Sequence, residues 1–333
     1  MSRRREFGRG ERVVPGLWRL RLPLPWEAIP HCNAWAIRAG DGVVLVDTGM
    51  HESGSIEELE RALDQVGLTI DQIRVVAATH AHSDHWGQAA TIRDRTGCEF
   101  WMHPNHEHGA LSATDPEQAV ARRIEVGLQS GVPESALLRY AERAKNWPSG
   151  IARVIEPDRL LVPGVEIETD LGTWTVHETP GHAPSHVVMF QAERRLLISG
   201  DHVLGRIALY FDYGWTPDPI GEFLHSLDQT DALGARLALS GHGKPFIDVH
   251  GHIEGNRRLV NERLDAALAA VREEPKPAVE IAPSIFGEPL TEANAGWRLQ
   301  ETLCYLRHLE LAGRISRESD GDLARWEFRA IKP

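Results

Sequence analysis

Cysteine is scarce in this 333-residue chain, and the three present (Cys32, Cys98 and Cys304) are far apart. That scatter argues against a disulfide framework or a cysteine-rich zinc module and fits buried thiols in a reducing compartment. Long apolar runs are missing as well, so no membrane span is expected. The first residues, Met1 to Glu6, are basic, but Phe7-Gly8-Arg9-Gly10-Glu11 follows where a signal peptide would turn apolar. A cytoplasmic protein is therefore expected. Nor is there an excess of positive charge: the formal net charge is -12, which does not advertise a polyanionic partner. Internal repeats and low-complexity segments are absent too. What is present is an ordinary globular composition, 42% apolar and 25% charged. The length suits one large core, or one core with a small appended domain.

Short apolar or alternating runs bounded by Gly, Pro and Asp predict strands at 13–24, 33–38, 43–46, 73–79 and 98–102. Ser55, with Glu58 three residues on, predicts a capping-box helix over 55–63, and another helix is expected to begin near Asp84. Residues 104–150 break the rhythm with two helical stretches, 114–130 and 133–145, an insertion that either caps a pocket or is a decorative helical hairpin. Strands resume at 159–162, 165–169, 173–178, 187–191, 195–199 and 236–239, with a helix around 221–227. After His242 a long helix over 251–273 runs to Pro275-Lys276-Pro277. Helices at 278–286 and 297–311 and strands at 313–315 and 325–328 then predict a small winged-helix-like module, with the long helix packed between the two units.

His80-Ala81-His82-Ser83-Asp84-His85 places four potential metal ligands in six residues at the end of the 73–79 strand. In extended backbone His80 and His82 point the same way, while Asp84 and His85, past the bend, face a second point. His and Asp suit zinc and its first-row neighbours. Three later sites repeat one design, an apolar strand, a sharp turn and a ligand-type residue: Pro180-Gly181-His182, Ser199-Gly200-Asp201 and Ser240-Gly241-His242. Asp47 likewise ends the strand 43–46. Each turn alone is a weak signal, but together around one strand-end face they form a strong constellation.

With these residues, and above all His-x-His-x-Asp-His, the chain resembles the metallo-beta-lactamase superfamily over about residues 12–250. The resemblance implies an α/β (α+β) fold, a four-layer αββα sandwich with its site on the strand-end edge. Carried over residue by residue, it implies that His80, His82 and His182 bind one metal and that Asp84, His85 and His242 bind a second. It makes Asp201 the bridge, and Asp47 an orienting residue that does not bind metal. The implied cofactors are two divalent ions, zinc foremost, with iron or manganese accepted by the same donors. Ions about 3.5–4 Å apart can share a water and lower its pKa from about 15.7 towards about 7. Seven protein ligands leave positions open for that water and a substrate, as a catalytic site requires. The domain division expected is a catalytic unit, 12–250, carrying the 104–150 insertion, then the linking helix and winged-helix-like unit, 251–333. Such tails resemble those of a lactamase-like hydrolase group that includes an animal single-strand endoribonuclease and polyketide thioesterases. The segments Pro23-Leu24-Pro25, His31 to Trp35 and Thr291 to Gly313 look like a bacterial branch of zinc-dependent hydrolases.

Two positions depart from the usual pattern. His202, directly after Asp201, is a candidate to donate a hydrogen bond to substrate or to touch a metal, against a purely structural role. Ser185 stands where glycine is common, which makes His186 a buried strand-start residue. His31, His51, His103, His106 and His108 are taken as structural or solvated. The loop 204–215 should pass the substrate mouth, where its aromatics, with Trp26 and Trp86, suggest an apolar pocket. Tyr210 or Tyr213 is placed to hydrogen-bond a carbonyl oxygen, as a tyrosine does in related lactonases; the alternative is that these aromatics pack the loop onto the insertion. The expected catalytic set is Asp84, Asp201, Tyr210 and His202. The expected reaction is hydrolysis of an ester, lactone or thioester of a small, largely apolar molecule, through a hydroxide held between the metals. A glutathione-thioesterase role lacks a dedicated basic cluster. A nuclease is the competing class, but residues 251–333 hold 12 Lys and Arg against 14 Asp and Glu, and the insertion 5 against 6. A non-catalytic binding protein conflicts with seven intact ligand positions. No membrane partner is expected, and a homodimer through the tail or insertion is left open.

Overall fold

A computed structural model describes residues 7–26, 29–319 and 326–331. The first sheet has seven strands in sequential order. They are β1 (Arg9–Val14), β2 (Leu17–Pro23), β3 (His31–Ala39), β4 (Gly42–Val46), β5 (Ile73–Ala77), β6 (Glu99–Met102) and β7 (Arg159–Leu160). Helices α1 (Ser55–Asp64), the single turn α2 (Ser83–Trp86), α3 (Ala89–Thr96), α4 (Glu107–Thr114), α5 (Pro116–Gln129) and α6 (Glu134–Ala144) lie between them in the chain. A second sheet contains β8 (Glu166–Thr169), β9 (Gly172–Glu178), β10 (Val187–Gln191), β11 (Leu196–Gly200) and β12 (Leu237–Ser240), in the spatial order β12-β11-β10-β9-β8. Helix α7 (Pro219–Ala232) connects β11 to β12. Helices α8 (Val249–Ala270), α9 (Ala278–Phe286) and α10 (Ala295–Leu311) and the hairpin β13 (Ile315–Ser319) and β14 (Trp326–Ala330) complete the chain.

Three apolar layers account for the stacking. Leu20, Leu45, Val76 and Phe100 on the outer face of the first sheet pack on Leu59 and Leu63 of α1 and Ile92 of α3. Trp35, Ile37, Val44 and Val46 on its inner face meet Trp174, Val176, Met189 and Ile198 of the second sheet. The outer face of the second sheet, Val188, Leu197 and Ala238, is covered by Phe223 and Leu227 of α7 and Ile253 and Val260 of α8. The result is the helix–sheet–sheet–helix order of a four-layer αββα sandwich. The last layer continues without a break into Ile281, Leu303, Tyr305 and Phe328, so the C-terminal elements share this core. Helix α8 touches α7, α9 and α10, and α10 also reaches α7.

Several local expectations are corrected. The predicted strand 13–24 is a hairpin, because Pro15-Gly16 forces a turn, with Gly16 at φ 84°. The predicted capping box at Ser55 is replaced by Gly54 at φ 85°; Ser55 Oγ bonds the Glu52 carbonyl, and Glu58 accepts the Gly8 amide at 2.7 Å instead. The insertion carries one helix more than the two expected, α4. Arg325, at the edge of the last predicted strand, lies outside the described residues, as do residues 1–6. Among the described residues no helix is long and apolar enough to cross a membrane.

Candidate metal centre

Parallel pairing aligns the ends that matter. β4 and β5 run parallel, as do β11 and β12, so the turns after all four open on one edge of the sandwich, joined there by the turn between β9 and β10. These turns deliver Asp47, the 80–85 run, His182, Asp201 and His242. Glycine makes the approach possible. A Cβ on Gly181, whose φ is 127°, would fall 2.5 Å from the Phe223 Cα, and one on Gly241 would lie 2.1 Å from Asp201 Oδ1.

The seven expected ligands converge in two overlapping groups. His82 Nδ1 lies 3.0 Å from His80 Nε2 and 3.0 Å from His182 Nε2. Tetrahedral zinc with bonds of about 2.0–2.1 Å would hold such nitrogens about 3.3 Å apart. Beside this trio, His242 Nε2 lies 3.3 Å from Asp84 Oδ2 and 3.1 Å from Asp201 Oδ2. His85 Nε2 is 3.5 Å from Asp84 and 3.6 Å from Asp201 Oδ1. Asp201 stands between the groups, its Oδ2 also 3.9 Å from His182.

The surrounding hydrogen bonds decide which nitrogens are free to ligate. Asp47, at φ 63°, accepts the Thr79 amide at 2.8 Å, the Thr79 hydroxyl at 3.0 Å and His85 Nδ1 at 2.8 Å. Having donated to Asp47, the Thr79 hydroxyl accepts from His80 Nδ1 at 3.0 Å. His182 Nδ1 donates to the Tyr210 carbonyl at 3.0 Å and His242 Nδ1 to the His31 carbonyl at 2.9 Å. Four imidazoles thus donate from Nδ1 and turn Nε2 to the centre, the pattern typical of metal-bound histidine. Buried His85 Nε2 and Asp201 Oδ1 have no hydrogen-bond partner of their own. Orphaned buried polar atoms aimed at one point are costly unless a cation satisfies them, so the donor set fits divalent metal.

Electrostatics divide the two groups. Burial, then neighbouring imidazoles, push His182 down to about 4 and His80 well below its ordinary range, leaving neutral nitrogen donors, whereas at His82 burial is outweighed by the Asp212 carboxylate, which raises it. At the second group burial is outweighed by carboxylates: Asp84, Asp47 and Asp201 push His85 up to about 9, and Asp201 raises His242. Burial would raise Asp201, but His242 and His85 hold it well below the usual carboxylate range. The same negative field that attracts protons there would attract a cation.

Other expected residues divide. Tyr210 borders the first group, its ring 5.7 Å from His82 and 5.8 Å from His182. Burial and the neighbouring Asp212 carboxylate push its phenol well above the usual tyrosine range, so it remains a donor. His202 corrects the expectation. It is buried behind the Asp201 turn with its ring 5.1 Å from Phe223, burial pushes it down to about 3, and it joins no ligand group among the described residues. The chain turns directly after Asp201, so the two side chains diverge. Trp86 is likewise no pocket wall: it is fully buried, stacks on Phe100 and donates from Nε1 to the Ala81 carbonyl at 3.0 Å, bracing the ligand run. Tyr213 packs into the C-terminal core, and Trp215 lies under the Arg122 guanidinium at 3.9 Å, packing the loop onto the insertion. Trp26 is exposed. His186 is a buried non-ligand whose Nε2 accepts the Asp201 amide at 3.1 Å.

Three participants escaped sequence reasoning. Asn33 donates from Nδ2 to the Ser240 carbonyl at 2.7 Å and so pins the turn that carries His242. Asp212 Oδ2 receives His82 Nε2 at 2.9 Å, and His108 Nδ1 approaches that same oxygen at 3.0 Å. The loop around Asp212 drew notice for its aromatics, but nothing in its sequence singled out the acid.

Comparison with known proteins agrees with this geometry. Residues 264–331 match the metallo-beta-lactamase-like C-terminal domain. The probable metallo-hydrolase YqjP of Bacillus subtilis is 22% identical over 317 residues, 91% of this chain and 95% of that protein. The human acyl-coenzyme A thioesterase MBLAC2 is 24% identical, over 66% of this chain and 76% of its own length. A crystal structure of a metallo-beta-lactamase family protein from Thermus thermophilus superposes with a TM-score of 0.82 at 26% identity, covering 96% of this chain and all (100%) of that one. Residues 30–244 match the metallo-beta-lactamase superfamily itself, and with its ligand run, its strand-end turns and its four layers the chain belongs to that superfamily, as a metallo-hydrolase.

Proposed function

We propose that the protein is a dinuclear metal-dependent hydrolase of carboxylic ester, lactone or thioester bonds in a small, largely apolar substrate. The observation that carries this reading is Asp201 standing between two ligand groups whose free nitrogens are set by second-sphere hydrogen bonds. His80, His82 and His182 would hold one ion, Asp84, His85 and His242 the other, and Asp201 both. Zinc is the first candidate, with iron and manganese suited to the same donors. Two such ions would supply Lewis acidity toward a substrate oxygen and acidify a water. The protein's own part is to orient the donors, exclude bulk water and set the Tyr210 ring beside the first group, where its hydroxyl, hydrogen-bonded to Asp212, would turn from that carboxylate to donate to a substrate carbonyl oxygen. The thioester branch draws support from the human relative named an acyl-coenzyme A thioesterase. The near balance of charge in the insertion and tail disfavours phosphodiester substrates.

A panel of p-nitrophenyl esters, acyl-thioesters, lactones, phosphodiesters and single-stranded RNA, assayed with metal-loaded protein and with His82→Ala and Asp201→Ala, tests the reading. Ester, lactone or thioester turnover that disappears in both variants along with bound metal is expected. Selective RNA cleavage lost in His82→Ala, or unchanged metal content in both variants, would overturn it.

A further inference from the structure

We propose that Asp212 and His108 are positioning residues for His82, and that through them the helical insertion sets the metal affinity of the first ligand group. The inference rests on the dinuclear reading above. His82 is the one imidazole of the five that faces the centre through Nδ1, so its Nε2 points outward, into the seam between α4 and the loop after Asp201. There it meets Asp212 Oδ2 at 2.9 Å. His108, on α4, brings Nδ1 to that oxygen at 3.0 Å and Nε2 to Ser185 Oγ at 2.9 Å. Ser185 Oγ in turn accepts the Ala81 amide at 2.9 Å. The chain of bonds therefore leaves the ligand run at His82 and returns to it one residue earlier.

Protons fit this circuit in one self-consistent way. A carboxylate only accepts, so His82 donates from Nε2 and His108 from Nδ1. His108 Nε2 is then an acceptor, and the Ser185 hydroxyl supplies its proton. With its proton held on Nε2, His82 keeps a bare Nδ1 for the metal, the task that Thr79, Asp47 and two backbone carbonyls perform for the other four histidines. Burial pulls His108 below its ordinary range, which agrees with a neutral ring. Sterics fix the partner that carries His108. A Cβ on neighbouring Gly109 would come within 1.7 Å of the Ala81 carbonyl oxygen, so α4 sits directly against the ligand run. This makes α4 a fixed wall of the site.

The test is metal binding by full-length protein, read by competition with a chromophoric chelator for zinc and by the visible spectrum of the cobalt-substituted form. Asp212→Asn should weaken one of two ions about 10–100-fold, leave the other unchanged and alter the cobalt spectrum. His108→Gln, whose amide can donate to Asp212 and accept from Ser185, should stay within a few-fold of wild type. His108→Phe should shift affinity in the same direction as Asp212→Asn, and it keeps the idea testable if the latter does not fold. Two ions of unchanged affinity and spectrum in Asp212→Asn or, should it not fold, in His108→Phe would overturn the positioning role. Wild-type protein that takes up fewer than two ions would instead overturn the dinuclear reading beneath it.

Discussion

Replacing Asp47 by Asn probes how far the second metal depends on a residue that never touches it. The carboxylate is buried, 1% exposed, and accepts three hydrogen bonds. Asn tolerates the left-handed φ of 63°, so the backbone is undisturbed, as it would not be with Ala. The amide oxygen can keep the Thr79 amide bond. Its NH2, however, replaces the oxygen at which the Thr79 hydroxyl and His85 Nδ1 both point. The hydroxyl can turn to accept from that NH2 while still accepting from His80 Nδ1. But at His85 donor faces donor, and the ring can escape by moving its proton to Nε2, the atom that faces Asp84 and Asp201. A mismatched buried donor costs about 1–3 kcal/mol. With about 1.4 kcal/mol per tenfold, the second ion should bind roughly 10–100-fold more weakly, while the first, held by His80, His82 and His182, changes little. Dialysis against graded chelator followed by elemental analysis reads the two affinities, and circular dichroism checks the fold. Two ions retained at wild-type affinity in Asp47→Asn would refute the reasoning.

Gly241→Ala should strip metal from a folded protein, because its Cβ would stand 2.1 Å from Asp201 Oδ1 and 2.7 Å from His85 Cε1; normal metal content in that variant would show that the turn yields easily. Glu301, between α8 and α10, is pushed up to about 7 by burial despite Arg263 at 2.8 Å. The folded protein therefore keeps a proton that the unfolded chain releases near 4.5, and this side chain's contribution to stability falls as pH rises from about 4.5 to about 7. Relative to Glu301→Gln, wild type should lose up to roughly 3 kcal/mol across that window, read by equilibrium denaturation at pH 5 to 8; a difference that stays constant with pH would count against it.

The strands along the chain and the histidine- and aspartate-bearing turns were legible because both are local. Alternation and apolar runs mark strands, and a His-rich turn after a parallel strand has few uses other than chemistry. The misses have local causes of another kind. The Ser55–Glu58 pattern read as a capping box because nothing in it discloses that Glu58 has a better partner in the Gly8 amide. His202 read as a candidate because adjacency to Asp201 in the chain says nothing of which way a turn sends the next side chain.

The sequence by itself determined the donor types, their spacing and the turns that present them, since a metal accepts few side chains and a strand projects them with a fixed period. Tertiary structure alone decided which nitrogen each histidine offers. Apart from His80, whose partner Thr79 adjoins it and is itself set by Asp47, that choice rests on partners far off in the chain: Asp212 is 130 residues from His82, His31 is 211 from His242, and Ser185 is 77 from His108. It decided also that the C-terminal helices join the outer layer of the sandwich. Both depend on packing between distant segments, and no window along the chain contains both members of such a contact.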